Sequence, residues 1–350
     1  MFKLKIKKHT LNFAFPAGTS RGLMHKKDTW YVLLSDIEKP GVVGMGECSP
    51  IWGLSPEKEE EYEEKLNELS SRIEQFDFYL RTGLAGFPSI RFGLETALLD
   101  FYSSGKHILF PTDFTKGNTG IRINGLVWMG EPEKMLSDAL DKVNAGYTCI
   151  KIKIGTHDWQ EEEKIIRALR EKAGNTIEIR VDANGAYSLQ EAKQVMKRCA
   201  AYNVHSIEQP VKQGNISDMK ALVAEKSVPV ALDEELIGVI STSQRNELLK
   251  EIKPSYIVIK PSLVGGLAAT REWINLAEEQ GIKWWITSAL ESNIGLNAIA
   301  QFAATINPAI AQGLGTGKIY TNNIPSPLEI KGDRLFYNPF EKWDFRFAND

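Results

Sequence analysis

Cysteine is scarce in this chain: Cys48, Cys149 and Cys199 are the only three among 350 residues, they lie far apart, and none forms a CxxC pair. That excludes a disulfide framework and suits reduced thiols in a cytosolic enzyme. No apolar run approaches the roughly 18 residues of a membrane-spanning helix, so no contact with a membrane interior is expected. The start, MFKLKIKKHT, alternates lysine with apolar residues and lacks the apolar stretch of a secretory signal. Net charge is also nearly absent, −3 with a pI near 6.1, which gives no electrostatic reason to bind nucleic acid or an anionic membrane surface. The five histidines form no cluster, and there is no Ser/His/Asp or Cys/His pattern, Walker loop or dinucleotide GxGxxG. What remains is a cytoplasmic protein, 43% hydrophobic and able to bury a large core, whose partner is a small molecule.

Residues 1–115 read as an α+β unit. Phe2–Lys7 alternates like a strand, Thr29–Leu34 is rich in β-formers, Ser55–Ile73 reads as an acidic helix opening with Ser-Pro, and Phe92–Tyr102 has helical apolar periodicity. Gly105–Gly120 reads as a linker. From Ile121 the pattern becomes strict strand–helix alternation, with eight strand cores: Ile121–Val127, Cys149–Ile154, Ile177–Asp182, His205–Glu208, Val228–Asp233, Tyr256–Lys260, Trp284–Ser288 and Ala309–Leu314. The fold class is therefore α/β, a modified (β/α)7β TIM-type barrel over 116–320 with an N-terminal capping domain. A tail, 321–350, is expected to return to that domain.

Charged residues sit where these strands end. From Lys153 the steps to Asp182, Glu208, Asp233 and Lys260 are 29, 26, 25 and 27 residues, close to the roughly 30-residue βαβ unit. Period-2 alternation turns Ile150, Ile152 and Ile154 toward the helices and Lys151 and Lys153 into the barrel. Two lysines on one face favour a neutral amine, by repulsion and desolvation, and so a base near neutral pH. Asp182, Glu208 and Asp233, on three adjacent strands, suit a hard, oxygen-seeking divalent cation such as Mg²⁺. Lys260 falls across the barrel from Lys153. Arg180, one layer deeper than Asp182, either orients a carboxylate, contacts substrate or pairs with Glu178. Ser288, Gly313 and Thr316 offer hydroxyls and glycine amides to a substrate carboxylate, and Gly265–Gly266 opens a helix whose N–H groups could hold an anion.

These residues, in the order KIK, VDAN, EQP, ALDEE, IKPS and SALES, resemble the enolase superfamily in its muconate-lactonizing-enzyme-like branch, over nearly the whole chain. The resemblance implies Asp182, Glu208 and Asp233 as ligands of Mg²⁺ (with Mn²⁺ able to substitute), Lys153 as the base and Lys260 as the opposing cation. It also makes Thr19–Gly22 and Cys48–Leu54 lid loops, with Thr19, Arg21 and Lys151 among the substrate contacts. Thr-Ser-Arg-Gly at 19–22, ALDEELIG at 231–238, SALESNIGL at 288–296 and GLGTG at 313–317 resemble the branch's o-succinylbenzoate-forming dehydratases of menaquinone biosynthesis. The alternative is racemisation of an N-acylamino acid or epimerisation of a dipeptide. Against it, the Asp-x-Asp of the dipeptide epimerases is replaced here by Gly-Leu-Gly-Thr, and Leu263 stands where the N-succinylamino acid racemases tend to carry Arg.

Overall fold

The computed structural model describes residues 1–19 and 22–345. Three strands open the chain: β1 (Phe2–Thr19), β2 (Gly22–Asp36) and β3 (Val43–Cys48), paired antiparallel in the order β1-β2-β3. Two helices, Glu59–Ser71 and Pro88–Tyr102, cover one face, burying Trp30, Val32, Leu34, Tyr62, Leu66, Leu94 and Phe101 in a shared core. The sheet and the second helix meet backbone to backbone. A Cβ on Gly44 would lie 2.1 Å from the Ala97 carbonyl oxygen, and one on Gly46 1.9 Å from that of Gly93. The glycine density at 41–46 thus permits close approach, in addition to the turn its composition suggests.

The acidic helix starts at Glu59, four residues later than Ser55-Pro56 predicts. Tertiary bonds claim the intervening side chains. Ser55 Oγ accepts from Ile51 N at 2.8 Å, and Glu57 Oε1 accepts from Ser89 N at 2.7 Å.

The barrel strands are β4 (Ile121–Arg122), β5 (Gly125–Val127), β6 (Cys149–Lys153), β7 (Glu178–Asp182), β8 (Ser206–Glu208), β9 (Val230–Leu232), β10 (Tyr256–Ile259) and β11 (Lys283–Ile286). Seven form one curled parallel sheet, in the order β11-β10-β9-β8-β7-β6-β5. The strand expected over 121–127 is split. β4 leaves the barrel to pair with a hairpin of the tail, β12 (Leu328–Lys331) and β13 (Arg334–Tyr337), and β5 alone continues the sheet. The segment expected as an eighth strand, 309–314, closes the ring through single bridges, Thr287 with Gly313 and Ile123 with Gln312. Gly313 N donates to Ile286 O at 2.8 Å on one side, and Gln312 N to Arg122 O at 2.8 Å on the other.

The outward faces behave as alternation demands. Ile150, Ile152, Ile154, Ile179, Val181, Ile207, Leu232, Ile257 and Ile259 are fully buried against the surrounding helices. Inside the barrel, Ala231, Val258 and Trp285 form an apolar floor. All three cysteines are free and buried, and no helix among the described residues is long and apolar enough to cross a membrane.

Two carboxylates dock the capping unit onto the barrel. Glu95 accepts from Leu267 N at 2.6 Å and Ala268 N at 2.9 Å, capping the helix Leu267–Glu279. Gly266, at φ +100°, leaves the room, since a Cβ there would strike Glu95 Oε2. The N–H groups that the Gly265–Gly266 pair offers to an anionic ligand are therefore taken by the protein's own Glu95. Glu47 does the same for the next helix, Asn293–Ile306, accepting from Ser292 N (2.8 Å), Gly295 N (2.8 Å) and Ser292 Oγ (2.6 Å). In the tail, Trp343 and Phe345 stack at 9°, with Phe345 against His107.

Glu47→Ala should strand several of these buried donors. At roughly 1–3 kcal/mol for each unsatisfied buried group, chemical denaturation should show a loss of at least about 2 kcal/mol. A loss below about 0.5 kcal/mol, the scale of an ordinary surface substitution, would mean that the cap does not hold the two units together.

Candidate active site

β6 to β10 end in a ring of buried charge at the C-terminal mouth of the barrel. In-register parallel pairing sets Lys153 beside Asp182, and Asp182 beside Glu208. Lys151 Nζ lies 2.8 Å from Asp182 Oδ2 and 2.6 Å from Glu208 Oε1. Lys153 Nζ lies 2.7 Å from the same Asp182 oxygen and 2.6 Å from Asn184 Oδ1. Across the ring, Lys260 Nζ pairs with Asp233 Oδ2. β6 and β10 are four strands apart in the curled sheet, so Lys153 and Lys260 approach the cavity from opposite walls.

The turns after the strands supply the remaining groups. Asn184 takes the left-handed conformation, φ 45°, and its Nδ2 donates to Glu234 Oε1 at 3.0 Å. Gln209, also left-handed at φ 41°, accepts at Oε1 from Asp233 N (3.2 Å) and Glu235 N (3.4 Å) and donates to Val211 O (3.0 Å). It thereby pins the loop that carries Asp233. Neither Gln209 nor Glu234 is singled out by periodicity. β9 stops at Leu232 and Glu234 opens a 3₁₀ turn, so alternation has ceased to say which way its side chain points. The signal available was adjacency: each directly follows a singled-out acid.

Burial alone would push Lys151 down, but Asp182, Glu208 and Asp233 outweigh it and hold the ammonium charged, above its ordinary value. Lys260 follows the same pattern, with Asp233 and Glu234 outweighing burial. The neutral amine expected from two neighbouring lysines is therefore not what Lys151 becomes, because the carboxylates lie nearer than the lysines' mutual repulsion can offset. Asp182 is driven well down, since Lys151 and Lys153 together overcome its burial. Burial and the Asp182 charge drive Glu208 the other way, well above the ordinary carboxylate range, and Glu234 is raised by burial and Asp233.

Four acids thus face three lysines. Among the described residues the acids are spaced by ammonium groups, and no three His, Cys, Asp or Glu side chains form a ready-made metal cage. The donor set nevertheless fits a hard cation. Glu208 Oε2 and Glu234 Oε2 are buried oxygens without a hydrogen-bond partner, and with all four acids ionised against three ammonium groups the cluster carries one negative charge in excess. A divalent ion together with a substrate carboxylate would neutralise it.

Above the ring lies a cavity of about 1500 Å³. Lys151, Lys153, Asn184, Glu234, Lys260, Ser288, Gly313 and Thr316 line it from the barrel, and Gly18, Leu23, Met24, Lys27, Ile51 and Trp52 line it from the capping unit. The structure thus brings Ser288, Gly313 and Thr316 to the cavity wall. Thr316 Oγ1 is buried without a partner, while Ser288 Oγ donates to Glu291 at 2.6 Å. Arg180 is a correction. Its Nε donates to Glu178 Oε1 at 2.6 Å, its Nη1 to Ala311 O at 2.9 Å, and its guanidinium stacks 4.2 Å from the Trp285 ring. It is buried in the floor beneath the cavity and does not line it, so of the readings open for it the Glu178 pairing is the one realised. Arg21 lies outside the described residues. Thr19 ends β1, and its side chain likewise lies outside what is described.

If the cluster is a cation site, millimolar Mg²⁺ should raise the midpoint of thermal unfolding, by about 2.7 kcal/mol of added stability at a hundredfold excess over Kd. Glu208→Gln should lose most of that gain. A wild-type midpoint indifferent to both Mg²⁺ and Mn²⁺ would take the cation out of this cluster.

Residues 134–336 match the family model described as Enolase C-terminal domain-like. Over 95% of the chain and 98% of the relative, the sequence is 44% identical to an o-succinylbenzoate synthase of Desulfotalea psychrophila. The crystal structure of MenC from that organism superposes with a TM-score of 0.86 at 40% identity, covering 96% of this chain and 99% of that one. An L-Ala-D/L-Glu epimerase of Bacillus subtilis is 24% identical over 76% of the chain and 75% of the relative. A muconate lactonizing enzyme from Pseudomonas fluorescens shares the fold at a TM-score of 0.84 and 20% identity, over 99% of this chain and 98% of that one. With the family model spanning more than half its length and a near full-length relative above 40% identity, the chain belongs to the enolase superfamily.

Proposed function

We propose that the protein is a metal-dependent dehydratase that converts 2-succinyl-6-hydroxy-2,4-cyclohexadiene-1-carboxylate to o-succinylbenzoate, a step of menaquinone biosynthesis. The observation that carries this reading is the near full-length 44% identity to an o-succinylbenzoate synthase, on a chain whose two opposed lysines flank a buried carboxylate cluster. Members of the superfamily depend on a divalent metal, and Mg²⁺ is the ion proposed here, held by Asp182, Glu208 and Asp233. When bound, it lowers the cost of negative charge on the substrate carboxylate as the adjacent C–H bond breaks.

The chain's own groups do the rest. Lys153, at the cavity wall, takes the proton α to the carboxylate; the electron pair of that C–H bond becomes a double bond to the carboxylate carbon as the C=O π pair moves onto the carboxylate oxygens. The pair then returns to form the ring double bond as the C–O bond to the hydroxyl breaks. Protonated Lys153 gives its proton to the departing oxygen, so water leaves and the lysine is regenerated. Lys260, on the opposite wall, faces the charge that develops and moves no proton. Asn184 holds Lys153 from the side, 2.6 Å from its ammonium. The capping residues over the mouth keep bulk water from the exposed intermediate.

Purified enzyme with Mg²⁺ and the cyclohexadiene carboxylate should replace the diene absorbance with that of an aromatic product, and a chelator should abolish the change. Lys153→Ala should lower kcat by at least about a thousandfold, the scale of a lost general base, while circular dichroism and Mg²⁺ binding stay as in wild type. A variant retaining a tenth of the wild-type rate would refute the base assignment. The epimerase relative keeps a second reading in view. It predicts solvent-deuterium exchange at the α-carbon of both stereoisomers of an N-acylamino acid or dipeptide, because two opposed bases would then be needed.

A further inference from the structure

Lys27 is a buried ammonium group that, among the described residues, has no carboxylate in contact with it. It lies on β2, opposite Leu11 of β1, is only 4% exposed, and lines the cavity from the capping side. Its Nζ donates to the Ser49 carbonyl oxygen at 3.3 Å and to Ser49 Oγ. Among the described residues no acidic oxygen lies within the 4.0 Å of an ion pair. The two acids that attract it from farther off are Glu47 and Glu291. Both are engaged with neutral donors: Glu47 with Thr29, Ser292 and Gly295, and Glu291 with Ser262, Ser288 and the Ala289 amide. The other buried or half-buried lysines of the catalytic ring, Lys151, Lys153 and Lys260, each hold a carboxylate. Burial accordingly pulls Lys27 below its ordinary value.

A buried cation whose direct partners are all neutral oxygens costs stability. Facing a ligand cavity, it offers a charge-assisted bond to an anion that enters. The substrate class proposed above has two carboxylates. The ring carboxylate must lie at the barrel ring, because the proton beside it is the one Lys153 removes. The second carboxylate ends a flexible four-carbon keto chain and has to be met by a cation elsewhere in the same cavity.

We propose that Lys27 binds this remote carboxylate and so selects for the succinyl chain. The proposal rests on the dehydratase reading and goes beyond it by naming the specificity residue.

The test compares two product-like ligands by calorimetry on the full-length, Mg²⁺-loaded enzyme: o-succinylbenzoate, and 2-butanoylbenzoate, which keeps the ring carboxylate and ketone but lacks the remote carboxylate. Wild type should bind the dicarboxylate at least about tenfold more tightly, the scale of one charge-assisted bond in a dry site. In Lys27→Met, which keeps the length and loses the charge, that preference should shrink to about threefold or less, with binding of the monocarboxylate unchanged. Lys27→Gln provides the same comparison should the Met variant fail to fold. The inference is overturned if both foldable variants keep the wild-type preference, or if they lose the two ligands equally. Wild type that turns over the diene carboxylate while Lys27→Met matches it in kcat/KM overturns this inference alone. Wild type that neither turns over nor binds o-succinylbenzoate removes the dehydratase reading and this one with it.

Discussion

The Asp182 carboxylate is the group on which the rest of the site depends. It is fully buried and takes ammonium groups from both Lys151 and Lys153. Through Lys151 it is tied to Glu208, and its other oxygen accepts from the backbone of Asn184 at 3.1 Å, shaping the turn that brings Asn184 back to Lys153. Removing charges from water costs several kcal/mol per ion. A barrel of this size has no need of such a lattice for its stability, which the isoleucine-rich outer faces supply. The lattice makes sense as a store of charge placed where a substrate arrives.

That arrangement also explains the floor beneath it. A charged layer open downward would draw water into the barrel. Instead Trp285, Val258 and Ala231 close the interior, and Arg180 is tied down over the Trp285 ring by Glu178 and the Ala311 carbonyl. The ring of acids and lysines is thus closed from below and faces the cavity at the mouth, and in such a setting fixed charges act most strongly on a substrate. The mouth in turn is roofed by the capping sheet. Its position is set by Glu47 and Glu95 at the N-termini of two consecutive barrel helices, where backbone N–H groups lack intrahelical partners.

Much of this was legible along the chain because it follows from short-range rules. Alternation within a buried strand decides that Lys151 and Lys153 turn inward while Ile150 and Ile152 turn out. The spacing of βα units then aligns Lys153, Asp182, Glu208, Asp233 and Lys260 at one rim. Where a strand ends, the rule ends with it. Glu234 lies one residue past β9, and the closing segment at 309–314 is held by single bridges that no periodicity marks. Ser55 looked like a helix cap and serves Ile51 instead, because a tertiary contact outcompeted the local one.

The barrel, the inward direction of its charged residues and the chemistry those charges can support are all readable along the chain, since each depends on residues within one strand or one βα repeat. The folded chain settles which partner each charge takes. It committed Arg180 to Glu178 and the floor, brought Glu95 to a helix start 172 residues away, and left Lys27 in the cavity wall with serine oxygens for company. Such contacts join segments whose separation along the chain bears no relation to their distance in space, so no local pattern can encode them.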